Sequence, residues 1–226
     1  MNVKEAILNR RSVRAYLDKP VDKKLVNEVL ELANWAPSMS NVQPWSVYVI
    51  PSSSPVRQEI VDGFWKRLKT DPEVRSPFID PIGYPPKWKN PYLRRKRING
   101  LQVYKALGVP RDDPDGKDKH WANNYNSFSA PIQIFFAIDE IFTRSTLIDY
   151  GCFIQNLNLA ALEKGLGTCM QGSLGEYWEQ AKEILNVPPN MNMLGGMALG
   201  YIDHEAEVNT VHPSREPLES FVTYVD

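Results

Sequence analysis

The chain has 226 residues, 42% of them hydrophobic and 23% charged, with a formal net charge of -1. That length suits one large domain with a sizeable core, and the charge balance provides no global field toward nucleic acid or an anionic membrane. With Cys152 and Cys169 as its only cysteines and no CxxC pair, neither a disulfide framework nor a thiolate metal site is expected, and a reducing cytoplasm is the expected compartment. The charged opening Met1-Asn2-Val3-Lys4-Glu5 and the short apolar runs, such as Ile134 to Ile138, predict neither a signal peptide nor a membrane span.

In chain order, residues 3–11 read as an amphipathic helix with Val3, Ala6 and Ile7 on one side, ending in Arg10-Arg11-Ser12-Val13-Arg14. Asp22 caps a second helix that turns Leu25, Val26, Val29, Leu30 and Ala33 inward, and Val21 and Val26 have the spacing of a hydrophobic staple. Pro37 stops it, because the residue before a proline is pushed out of the helical region. The polar loop Ala36 to Pro44 then runs into a strand at Trp45 to Ile50, with a helix at about 55–69.

Residues 70–126 differ in composition, with many prolines, a basic run from Lys87 to Arg97, an acidic run from Asp112 to Asp118, and a helix at about 91–107. Lacking the apolar periodicity for a core of its own, this stretch reads as an insertion that walls a site, with Tyr84, Trp88, Tyr92, Tyr104 and Trp121 as candidate walls or, equally, as core. A strand at about 131–139 follows. The helix at 145–164 has apolar residues on more than one face, including Ile148, Phe153 and Leu157, and must be buried on two sides. Gly165 caps it. A strand near 167–171, a helix near 175–186 and a strand near 193–201 complete the body, and an arm at 213–226 carries Phe221 to Val225 toward a sheet edge.

Two segments carry chemistry. Arg10, Arg11 and Arg14 with Ser12 place three guanidiniums and a hydroxyl within five residues, and the planar, permanently charged guanidinium suits phosphate oxygens. The same arginines also fit a solvated basic helix end. Ser38, Ser40, Asn41 and Gln43 make a polar loop bounded by Pro37 and Pro44, a composition that also fits an ordinary helix-to-strand connection. Read together, the two describe a site for a small phosphorylated ring. The basic run 87–97 is read as a solvated surface compensated by the acidic run behind it, rather than as a nucleic-acid contact. His120, His204 and His212 have no metal-ligand spacing and are read as surface groups, so no metal is expected. Cys169 is read as a small buried apolar residue.

With both segments in order and correctly separated, the chain resembles the FMN-dependent nitroreductase family. Gly165-Leu166-Gly167-Thr168-Cys169-Met170-Gln171-Gly172 resembles the family's strand and loop beside the flavin N5, and Ser214-Arg215-Glu216-Pro217-Leu218 its C-terminal arginine segment. Gly83-Tyr84-Pro85-Pro86 and Leu93-Arg94-Arg95 are similar to the nitrobenzoate-reductase branch. The resemblance implies one α+β domain over residues 1–226, with a mainly antiparallel central sheet flanked by helices, in a domain-swapped homodimer whose core is the 145–164 helix. It also implies one FMN per protomer and NAD(P)H as hydride donor, reducing nitroaromatic compounds by two-electron, ping-pong chemistry. Quinone or enone reduction, or flavin binding without turnover, are the alternatives.

Residue by residue, the resemblance places Arg10 and Arg215 on the FMN phosphate, Arg11 alongside, and Ser12 on the phosphate or ribityl chain. Arg14 falls near flavin N1 and O2, where a fixed cation stabilises the reduced ring. Pro37, Ser38, Met39 and Asn41 would come from the other protomer to line the ring, with Gln43 in support. Gln171 and Gly172 would approach N5. Where the family has a second basic residue after the C-terminal arginine, this chain has Glu216.

Overall fold

The structure, a computed structural model, describes residues 1–70, 85, 87–142 and 144–225. Gly83, Tyr84 and Pro86 of the insertion lie outside the described residues. Four antiparallel strands, β1 (Ser46–Pro51), β2 (Ile132–Asp139), β3 (Leu166–Gln171) and β4 (Met191–Tyr201), lie in the order β1-β2-β4-β3. β2 is buried along almost its whole length because helices cover both faces of the sheet. Ile132, Ile134, Phe136 and Ile138 point to one side, where they pack with α2 (Lys23–Ala33) and α6 (Arg144–Glu163). The alternating Phe135 and Ala137 point to the other, against α3 (Pro55–Thr70) and α7 (Trp178–Ile184). No described helix is long and apolar enough to cross a membrane.

Local signals explain most element boundaries. Asn2 and Glu5 form a reciprocal capping box on α1 (Val3–Asn9), and Asp22 accepts from Lys24 N on α2. Val21 and Val26 are both buried, as a staple requires. Gly165 ends α6 at a φ of +74°. β4 carries a bulge opposite Phe136 and Ala137. There Gly195 has a φ of +118°, and a Cβ on Gly196 would meet Ile134 O at 2.4 Å, so neither position takes a side chain without distortion.

Several expectations are corrected. α1 is shorter than the periodicity implies and buries Ala6, leaving Val3 and Ile7 exposed. α6 buries one face within the chain and keeps Ile148, 72% exposed, on the other, the side that the expected dimer would cover. α7 is cut to Trp178–Ile184, because Gly172–Gly175 form a tight 3-10 turn first. The insertion contains α4 (Tyr92–Ala106), as expected, and also α5 (Pro114–Ala122), which Asp113 caps within the acidic run. The C-terminal arm, expected on a partner's sheet edge, leaves Tyr224 81% exposed within the single chain, which does not count against that expectation.

Candidate functional site

The arginine segment is not a helix end. α1 stops at Asn9, Arg10 is extended, and residues 10–17 run as a ribbon along the sheet. Val13 N donates to Thr168 O at 2.9 Å and Leu17 N to Tyr201 O at 3.0 Å. In an extended chain side chains alternate, so Val13 turns into the core at 1% exposure while Arg10, Ser12 and Arg14 share the opposite side. A Cβ on Gly167 would come within 2.7 Å of Val13 Cγ2, so the glycine in β3 lets the ribbon lie this close. Asn209 fastens it from the C-terminal side, accepting from Arg14 N at 2.8 Å and donating to Ala15 O at 2.8 Å.

The ribbon and the C-terminal segment enclose a cleft of about 310 Å³, lined by Arg10, Arg11, Ser12, Arg14, His212 and Arg215, with Ile7, Leu8, Val211 and Pro213 as apolar walls and Asn99 of α4 at the rim. No carboxylate lines it among the described residues. Burial lowers the pKa of Arg10, and the neighbouring charge of Arg215 lowers it further. Arg11 donates through one terminal nitrogen to His212 Nε2, while its Nε is buried without an acceptor among the described residues. Arg14 donates to Ser12 O at 3.2 Å. Burial raises the pKa of the Cys169 thiol against the pull of Arg14, a bond to Ser12, and Arg10, so it remains protonated and packs with Phe128, Ala130 and Ala198. This much positive charge with no acid to balance it suits an anion with several oxygens, because each charge-assisted hydrogen bond is worth about 1.5–3 kcal/mol.

Near Arg14 lies an aromatic group. His120 stacks on Phe128 at 5.9 Å and meets the edge of Tyr104 at 5.7 Å. Burial and then the charge of Arg14 lower the His120 pKa, so it is not the surface group its spacing suggested. Phe128 sits in a turn whose Ser127, Phe128 and Ser129 all have positive φ, between 50° and 59°. Three buried side chains hold that unfavourable backbone. Gln133 Nε2 donates to Tyr125 O at 3.0 Å, Arg57 donates to Asn126 O at 2.8 Å and to Ala130 O, and Gln171 Nε2 donates to Asn124 O at 2.7 Å.

The Gln171 amide is therefore buried, with its nitrogen committed to the loop. Gly172, at the start of its 3-10 turn, stays partly exposed. Arg57 was missed, although it falls at the same helical spacing as the buried Ile60, Val61 and Phe64, where a charge is anomalous. Nothing local in the sequence marks Asn209 or Asn99.

The loop holding Pro37, Ser38, Met39, Asn41 and Gln43 is well formed but apart. Ser40, Asn41 and Gln43 adopt positive φ, Gln43 N donates to Ser38 Oγ at 3.0 Å, and Met39 N donates to Asp149 Oδ2 at 3.0 Å near the start of α6. The arginine cleft lies toward the other end of that helix. Asn158, which accepts from Thr168 Oγ1 at 2.6 Å, is nine residues beyond Asp149 and so about 13 Å along the axis. Within one chain the two predicted halves of the site do not meet.

The sequence pattern of the Nitroreductase family matches residues 7–201. The chain is 34% identical over 230 residues to a 4-nitrobenzoate reductase of Nocardioides sp. (strain LMS-CY), covering 97% of this chain and 88% of that protein. It is 33% identical over 227 residues to a nitrobenzene nitroreductase of Ectopseudomonas oleovorans, covering 99% and 96%. The fold superposes with a TM-score of 0.94 and 30% identity on the FMN and NADPH-dependent nitroreductase NfnB from sphigopyxis sp. strain HMH, over 100% of both chains. It also matches the FMN-dependent NfnB of Mycobacterium smegmatis in complex with NADPH, with a TM-score of 0.87 and 26% identity over 99% and 97% of the two chains. With its cleft, its antiparallel sheet and its relatives in agreement over nearly the whole length, the chain belongs to the Nitroreductase family.

Proposed function

We propose that the protein is an FMN-dependent oxidoreductase that uses NAD(P)H to reduce nitroaromatic compounds. The observation that carries this reading is the carboxylate-free cleft with Arg10, Arg11, Arg14 and Arg215 on its walls. Its donors fit the phosphate of a mononucleotide, and the buried, unpartnered Arg11 Nε and the depressed Arg10 are both relieved by an anion there. Nitroaromatic substrates accord with the names of the relatives.

Arg10 and Arg215 hold the phosphate, with Arg11 and the Ser12 hydroxyl beside them. When bound, FMN supplies two-electron hydride chemistry between a nicotinamide donor and an electron-poor aromatic acceptor. Arg14 would present a charge to the reduced ring, its backbone held by Asn209 and its guanidinium bonded to Ser12 O. No side chain needs to act as nucleophile or general base. Phe128 and the neutral His120 add no charge beside Arg14, which keeps the charge of the site on the arginines.

The working unit in this reading is a homodimer, with Pro37, Ser38, Met39, Asn41 and Gln43 of one protomer completing the cleft of the other. Support comes from what the chain leaves uncovered: the 37–43 loop, the Ile148 face of α6, Val3 and Ile7 of α1, and the arm at Phe221 and Tyr224. The test is the visible absorption spectrum of the purified protein before and after anaerobic addition of NAD(P)H. A flavin spectrum that bleaches and then returns on addition of a nitroaromatic is expected; a protein that stays colourless after FMN is supplied refutes the reading.

A further inference from the structure

Glu216 directly follows Arg215 of the cleft, bears the opposite charge, and does not line the cleft. Its carboxylate turns instead to the insertion, 3.1 Å from Arg95 Nε and 3.7 Å from an Arg94 terminal nitrogen. Arg95 also lies over the Tyr92 ring, 5.6 Å from its centre. Thus two cations of the insertion's basic run, Arg94 and Arg95, share an acid that adjoins a cleft residue in sequence.

Most of α4 is exposed or half-buried. Of its fifteen residues only Val103, in the last turn, is fully buried. The helix packs on the 3-10 turn Glu207–Thr210, which carries the Asn209 that moors Arg14. One turn beyond Arg95, Asn99 reaches the arginine cleft. Its amide brings donors without adding a further full charge to a crowd of guanidiniums that already repel one another.

We infer that Glu216 is a positioning residue: by gripping Arg94 and Arg95 it fixes α4 so that Asn99 becomes a direct contact to the FMN phosphate, tying the insertion to cofactor retention. This rests on the FMN reading of the cleft. It also gives the acid a purpose at a place where, by Coulomb's law alone, it works against an anionic ligand.

That conflict of sign supplies the test. The full-length protein, stripped of flavin, is titrated with FMN and separately with riboflavin, which lacks the phosphate, following the flavin fluorescence. If Glu216 acted only as a charge beside a phosphate site, Glu216→Gln would tighten FMN. The positioning role predicts the opposite, a two- to fivefold rise in the FMN Kd, about what a partly exposed ion pair supplies. Arg95→Gln is expected to act in the same direction, and the double variant to be no worse than Glu216→Gln alone, because that substitution already removes both ion pairs. Asn99→Ala should raise the FMN Kd on the order of tenfold. Riboflavin affinity should stay unchanged throughout, with melting temperatures near wild type since the substituted groups are partly exposed. Tighter or unaltered FMN binding by Glu216→Gln overturns the proposal, as does an equal loss of riboflavin affinity, while the FMN reading itself survives. A wild-type protein that binds no FMN overturns both.

Discussion

The arginine cleft and the 37–43 loop were read from the sequence as two halves of one site, yet the fold treats them very differently. The arginine side of the cleft is built within the chain. Its ribbon is bonded to β3 and β4, backed by Val13, moored by Asn209, and faced by a loop that three buried side chains lock in place. The loop is exposed, bonds mainly to itself, and touches the rest of the chain through Asp149. The contrast separates two tasks. Holding an anion needs preorganised charge, which one rigid sheet edge supplies; covering a ring needs a second surface, which this chain presents outward.

The harshest test of that division attacks the uncovered face. Ile148→Arg puts a charge on an exposed position, so the single chain should fold, but a dimer packed there should dissociate and FMN affinity should fall on the order of a hundredfold. Sedimentation and flavin titration together check this, and a dimer that binds FMN normally would show that another face completes the site. Next is the locked loop. Gln171→Leu leaves the Asn124 carbonyl without its donor, which should cost about 2 kcal/mol of stability, read by denaturant unfolding. A smaller loss would mean that the loop does not depend on this clamp.

The cleft itself is dissected by two of its cations. Arg215→Ala should release FMN on the order of tenfold more readily with little change in the reduction rate of loaded protein. Arg14→Ala should slow reduction by a similar factor while leaving FMN largely bound, as stopped-flow kinetics would reveal. Equal behaviour of the two variants would erase the distinction between a phosphate end and a ring end.

The smallest expected effect concerns pH. Burial and Arg14 keep His120 neutral in the native state, whereas the unfolded chain titrates it near 6.5. As pH falls below that value the unfolded state gains its proton first. Stability is therefore full above about pH 6.5 and declines as pH falls toward the lowered native value. His120→Gln should remove that slope, a change below about 1 kcal/mol between neutral and mildly acidic melts. An unaltered slope would assign the acid sensitivity to other groups.

Much of this architecture is written locally. The caps at Asn2 and Asp22, the Val21 and Val26 staple, the stop at Pro37, the glycine at 165 and the apolar runs of all four strands depend on contacts within a few residues, so they are legible in the sequence. The chemistry of arginine likewise marks a candidate anion-binding segment before any fold is known, and the spacing of the motifs points to the family. What the sequence leaves open is direction and partnership. Only the tertiary structure decides that the arginines ride an extended ribbon, that Gln171 turns inward to Asn124, that His120 is sheltered by Phe128, and that Glu216 crosses to Arg95. Each of these joins residues far apart in sequence, and a polar side chain finds such a partner through the packing of whole elements, which no local pattern encodes.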